Sequence, residues 1–158
     1  MTVAGLVRMH SLDKPLAQFR SALTAGGLHA ALGYLNARTS YRYSGIYRLD
    51  GQTLRCMALY DRQGENPDFL AEVPLGESFC QFVLREQRFE TQDSAQDRRL
   101  DGHPHQGVMR SYFGLPLSRQ PGTIYGTLCH FDLAPMVIAD SEIALLEAVS
   151  PLLLLHLP

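Results

Sequence analysis

Ser-Tyr-Phe-Gly-Leu-Pro-Leu at 111–117 and Gly-Thr-Ile-Tyr-Gly-Thr-Leu-Cys-His-Phe-Asp at 122–132, separated only by Ser118-Arg119-Gln120-Pro121, read as one antiparallel hairpin. Tyr112, Phe113, Leu115 and Leu117 supply a first apolar strand. Gln120-Pro121-Gly122 supplies turn chemistry, and Ile124, Tyr125, Leu128, Cys129 and Phe131 supply the second strand.

Working outward, residues 41–49 are rich in aromatic and β-branched side chains, Asp50-Gly51 signals a tight turn, and 53–60 resume strand character, which predicts another hairpin. Upstream of it, Leu16, Phe19 and Leu23, then Leu28, Ala31, Leu32 and Leu35, follow helical spacing. Ser11 or Asp13 is available as a cap, Pro15 is acceptable in a first turn, and Gly26-Gly27 is expected to break the run into two helices. Downstream, 61–68 read as an exposed loop, 69–73 as a short strand, and 78–85 as a helix capped by Ser78. Residues 87–91 read as extended and 92–106 as a long irregular connection. The closing segment, 140–157, has Asp140 or Ser141 as a cap and Ile143, Leu146, Val149, Leu153 and Leu154 as an apolar face. Pro151 costs about 3 kcal/mol inside a helix and predicts a kink or an end near Ser150.

This order of elements describes an α+β fold: a mostly antiparallel sheet with terminal helices on one face and the 78–110 segment on the other. At 158 residues one domain is expected, with 1–40 as a helical layer, 41–135 as sheet and pocket segment, and 140–157 as the closing helix. Hydrophobic residues at 46% and charged residues at 19% exclude wholesale disorder. A net charge of -2, with Arg98-Arg99 the only adjacent basic pair, offers no stripe for a phosphate backbone, so no nucleic-acid partner is expected. No apolar run is long enough for a signal peptide core or a membrane span, and a cytoplasmic protein is expected. Cys56, Cys80 and Cys129 lie in no Cys-x-x-Cys spacing and read as reduced thiols.

The central hairpin, Pro-Leu-Gly-Glu-Ser-Phe-Cys-Gln-Phe-Val at 74–83, and Thr91-Gln92-Asp93 to Asp97-Arg98-Arg99 with Asp101 and His103-Pro104 beyond, together resemble GAF domains of the bacterial sensory type. The resemblance implies a sheet that floors a small-molecule pocket, roofed by the 80–110 segment. Asp93, Arg98, Arg99, His103 and Tyr112 then become candidate ligand contacts: an arginine can grip an anion bidentately and an aspartate can accept from an amine. The same charges also read as a solvated, mutually paired surface loop. The resemblance further implies a homodimer through the terminal helices, with the Leu152 to Leu155 run seeking an external surface, and a signalling partner protein to carry the output.

An enzymatic alternative is a thiol-dependent reductase of free methionine sulfoxide or a related metabolite, because reductases of that kind share the GAF scaffold. Cys80, in the first turn of its expected helix, and Cys129 would be its reactive thiols. No cofactor is expected. His103-Pro104-His105 and Cys129-His130 invite a metal, but on extended backbone each pair diverges to opposite sides, so no metal is predicted. Cys129 is misplaced for a bilin, and no Asn-Lys pair exists to suggest a cyclic nucleotide. Tyr41, Tyr43 and Tyr47 alternate onto one strand side, where they either pack under a helix or line the pocket.

Overall fold

The computed structural model describes the backbone from Val3 and the side chains from Leu12 to Pro158. The long central hairpin forms as β5 (Ser111–Gln120) and β6 (Thr123–Asp132), and the first hairpin as β1 (Tyr43–Asp50) and β2 (Thr53–Asp61). Both turns use glycine at positive φ, Gly51 at 62° and Gly122 at 81°, where side chains on L-residues are strained. With β3 (Glu72–Pro74) and β4 (Phe89–Thr91) they make a six-stranded antiparallel sheet in the order β3-β2-β1-β6-β5-β4. The middle of this sheet is the β1–β6 ladder, which joins the two hairpins and sets Tyr43 opposite Phe131, Gly45 opposite Cys129 and Ile46 opposite Leu128. At its end Arg48 faces Gly126, and a Cβ on that glycine would overlap the Tyr47 carbonyl oxygen.

One sheet face is covered by α1 (Val3–Ala37) and α3 (Asp140–Leu154), as the apolar spacing predicts. Leu32, Leu35 and Phe19 of α1 and Leu145, Leu146, Val149 and Leu153 of α3 are buried against Ile46, Phe113, Leu117 and Leu128. α1 is interrupted at Gly27, whose φ of 73° and ψ of -160° lie in a region open essentially only to glycine. The expected break is therefore present. The α1 backbone is helical well before Leu12, so Pro15 lies inside the helix rather than in a first turn. The Ser11 side chain falls outside the described residues. Glu142 in the first turn of α3 receives the Arg38 guanidinium from Nε and Nη2 at 2.9–3.1 Å, tying the two helices together.

Two expectations for α3 are corrected. Its N-cap is Ala139, with no side-chain cap from Asp140 or Ser141, and it continues through Pro151 to Leu154. Burying Val149, Leu153 and Leu154 contributes about 1.5–3 kcal/mol per side chain, enough to outweigh an interior proline. For the same reason Leu153 and Leu154 of the closing leucine run are spent on the chain's own core, and only Leu155, 80% exposed, faces outward.

Beneath α1 and α3 lies a closed polar network. Asn36 donates from Nδ2 to the Tyr41 carbonyl and to Ser44 Oγ, both at 2.9 Å, while its Oδ1 accepts from Arg62 at 3.0 and 3.1 Å. Ser44 Oγ, which accepts from Asn36, also shares a hydrogen bond of 2.6 Å with His130 Nδ1. Tyr41 stacks on His130 with centroids 5.5 Å apart. Tyr41 thus belongs to the helix-side core, not to the side taken by Tyr43 and Tyr47, because the strand's alternation begins only at Tyr43. Burial first, and the Arg62 charge second, push the His130 pKa down to about 4.

The opposite face carries α2 (Cys80–Glu86) and the 87–110 segment. Ser78 does not cap α2: its hydroxyl donates to the Leu75 carbonyl at 2.9 Å and Phe79 is the cap residue. The expected strand at 69–73 is a 3-10 turn, Asp68–Leu70, followed by β3. The 92–106 connection is ordered by its own aspartates. Asp93 and Asp97 each accept a backbone N–H at the start of a 3-10 turn, and buried Ser94 binds the Met109 carbonyl and the Gly107 N–H.

Replacing Gly126 by Ala pits a methyl group against backbone that has nowhere to go, so a loss of about 3 kcal/mol or more is expected in chemical denaturation, with Gly76→Ala, where space is open, as the near-neutral control. The His130 ring gives a pH prediction. An unfolded histidine protonates near 6.5 and the folded one near 4, so the unfolded state alone gains a proton between these values, and stability falls by about 3 kcal/mol as pH drops through that window. Asp61 acts in a separate window. Burial opposes its ionisation, yet Arg42 and the N–H groups of Gln63 and Asn66 outweigh it and hold the carboxyl at about 2, so its contribution disappears only as pH falls below 3.8. Thermal midpoints measured from pH 7 to 4 should show the first loss, and His130→Asn should flatten it.

Candidate functional site

The register that sends Ile46 and Leu128 to the helices sends their neighbours to the other face, where the sheet floors a cavity of about 350 Å³. Tyr47, Leu54, Tyr112, Cys129 and Phe131 form the floor. One wall comes from the Asp68–Leu70 turn and β3, a second from Glu77 to Cys80, and a third from His105, Val108 and Met109. Phe69, Val108 and Leu133 stand at the mouth with 62%, 59% and 42% of their surface in solvent, an apolar rim that the fold leaves uncovered.

Polar atoms at the floor are already partnered. Tyr47 donates its hydroxyl hydrogen to the Leu70 carbonyl at 2.9 Å, and the Tyr112 hydroxyl lies 3.2 Å from Cys80 Sγ. Thr127 Oγ1 donates to the same sulfur at 3.3 Å, and Cys129 Sγ donates to the Gly45 carbonyl at 3.6 Å. What the floor presents is aromatic surface: Tyr112 and Phe131 stack at 6.4 Å, and Phe79 meets Tyr112 edge-on at 5.8 Å. Burial and the neighbouring thiols raise Tyr47 and Tyr112 well above the usual phenol range, so both stay neutral. The two cavity thiols differ. Contact with Cys129, against the cost of burial and with help from Thr127 and Tyr112, lowers the Cys80 pKa, whereas burial raises that of Cys129.

Of the five residues expected at the site, Tyr112 lines the cavity and the other four do not. Asp93 is bound to Arg110 through Nε and Nη2 at 2.7 and 2.8 Å. Arg99 is held by Asp97 and the Glu90 carbonyl and lies over the Phe89 ring at 4.8 Å, while Arg98 is exposed on its 3-10 turn. His103 packs on Phe79 at 4.8 Å; its Nδ1 accepts from the His105 N–H, so Nε2 faces the Ser78 carbonyl as donor at 3.3 Å. Burial holds its pKa below the usual histidine range. It braces the wall from behind.

The geometry expected for the histidine pair is corrected. The segment is folded into turns rather than extended, which brings the His103 and His105 rings within 5.8 Å instead of sending them apart. Cys129 and His130 do face opposite sheet surfaces. Among the described residues no three His, Cys, Asp or Glu side chains converge as a metal site, and no helix is long and apolar enough to cross a membrane. Phe69, Val108 and Met109 escaped the sequence reading, although apolar side chains set in otherwise polar loops were a readable signal for a pocket rim.

No protein-family model matches the sequence, and no curated protein matches it. Solved structures do. The GAF domain of a phosphoenolpyruvate-protein phosphotransferase from Coxiella burnetii superposes with a TM-score of 0.69 at 18% identity, over 94% of this chain and 93% of that one. The corresponding Acinetobacter GAF domain gives 0.67 at 18% identity, over 93% and 90%. The type II free methionine-R-sulfoxide reductase from Thermoplasma acidophilum gives 0.63 at 20% identity, over 88% and 96%. GAF domains of larger proteins and a free-standing enzyme thus share the architecture, which fixes the fold and leaves the activity to the site. With its six-stranded antiparallel sheet, its layer of α1 and α3 on one face and its cavity on the other, this chain has the GAF fold.

Proposed function

We propose that this chain is a sensory or regulatory domain that binds a small molecule in the cavity on the β-sheet and passes its occupancy to a partner protein. The observation that carries this reading is an open, apolar cavity of about 350 Å³, within the range of small-molecule sites, whose uncovered rim includes Phe69 and Val108. A collapsed interaction module would have buried that rim in its own core. Relay has a physical route: β6 carries Cys129 and Phe131 on the cavity side and Leu128 and His130 on the helix side, so a shift at the floor is felt by α1 and α3. A homodimer through the terminal helices belongs to the same reading, with Val137 just before α3 and Leu155 just after it, 69% and 80% exposed, as flanking apolar surface.

A second reading is favoured by one observation, that two free thiols of unlike character, Cys80 and Cys129, line the same cavity. They suit a thiol-dependent reductase of free methionine sulfoxide. In balanced form two thiols and one sulfoxide would give one thioether, one disulfide and one water, with an external dithiol restoring the thiols.

A thermal-shift screen of nucleotides, amino acids and small aromatic compounds should yield at least one saturable ligand, raising stability by about 2.7 kcal/mol at one hundred times its Kd. Val73→Phe, which places a ring in the cavity wall, should abolish that shift at a cost near 1 kcal/mol or less to the free protein. A shift that survives Val73→Phe would put the ligand elsewhere. Turnover of methionine sulfoxide with dithiol, lost in Cys80→Ser, would establish the enzymatic reading in place of the sensory one.

A further inference from the structure

We propose that the occupant of this cavity is an organic cation, an amine or quaternary ammonium carried on an apolar body, and that carboxylate and phosphate metabolites are excluded. The inference rests on the ligand-binding reading above and names its chemical class.

Three observations carry it. The first is the charge of the lining: it contains no lysine or arginine, and its formal charges are the carboxylates of Glu72 and Glu77 at the mouth. Glu72 is paired with Arg55, which also binds Asp50, whereas Glu77 makes no ion pair with a described residue. The arginines nearest in sequence to the third wall are committed elsewhere, Arg99 to Asp97 and Arg110 to Asp93. An anion entering here would lose its hydration and meet no lysine or arginine, with the His105 ring as the one side chain of the lining able to answer its charge, and burying a charge so poorly compensated is costly.

The second is the state of the floor's polar atoms. The hydroxyls of Tyr47 and Tyr112 and the thiols of Cys80 and Cys129 are turned onto protein partners, so few donors remain to greet an acceptor on a ligand. The third is what these rings offer instead. Tyr47, Phe79, Tyr112 and Phe131 surround the space with aromatic surface whose faces carry negative electrostatic potential, attractive to an ammonium group and indifferent to a neutral one. An apolar amine satisfies both parts of the site: its body replaces water against Leu54, Val73 and Met109, and its charge settles between the rings and Glu77.

The test compares ligands of one shape and three charges by calorimetric titration at low salt: tryptamine, tryptophol and indole-3-acetate, and in parallel phenethylamine, 2-phenylethanol and phenylacetate. The amine of each set should bind roughly three- to tenfold more tightly than the alcohol, and the acid more weakly than either. Glu77→Gln, a change at an exposed side chain, should reduce the amine's advantage over the alcohol while leaving the alcohol's affinity unchanged. Acids that bind as tightly as amines, or an advantage untouched by Glu77→Gln, would overturn the charge preference while leaving ligand binding intact. Failure of all six compounds to bind, set against a saturable hit of another class in the broader screen, would overturn it equally, and failure of both would remove the binding reading itself.

Discussion

The β1–β6 ladder is the constraint on which the rest of the molecule depends. It joins two local hairpins into one sheet, and its register decides which side chains reach each of two cores. The backbones meet so closely at Gly126 that only hydrogen fits, which pins the register at that end. At the other end Ser44 and His130, side by side across the ladder, join Asn36 at the end of α1 and Arg62 beyond β2. Each donor and acceptor of Asn36 is used, so the network discriminates against a shifted register as well as stabilising the correct one.

From that ladder the cavity follows with little further specification. Alternation places Tyr43, Tyr47, Cys129 and Phe131 together on the face away from the helices, and at Gly45 the space a Cβ would take is already closed by the Tyr47 ring. The 87–110 segment closes the site only in part. Asp93 and Asp97 are consumed in capping 3-10 turns and pairing with Arg110 and Arg99, so these charges hold the wall in shape and its apolar residues, Val108 and Met109, meet the cavity. Side chains that look like ligand contacts in sequence brace the loop, and others that do not look so line the cavity.

That division explains what was legible in the chain. Both hairpins, the break at Gly27 and the two-layer arrangement were readable because each is set by local signals: turn glycines, period-two alternation and helical spacing. The end of α3 was not, since a proline rule concerning the backbone alone is outweighed by leucines buried through tertiary packing. Tyr41 was misassigned because alternation holds only inside a strand, and the start of β1 at Tyr43 is fixed by pairing with Asp61 and Phe131 rather than by local propensity. Within the site, Tyr112 was legible from the central hairpin. Arg98, Arg99, Asp93 and His103 were drawn to the site by their charge, but nothing in the sequence reports that three of them find partners within the segment or against its neighbours.

Native-state hydrogen exchange, read residue by residue, tests the central role of this ladder most directly. If β1 and β6 are the element on which both faces are built, the amides from Ser44 to Tyr47 and from Thr127 to His130 exchange only through global unfolding, while the edge strands β3 and β4 open locally and exchange faster. Exchange of the β1–β6 amides at rates equal to or above those of β4 would contradict it.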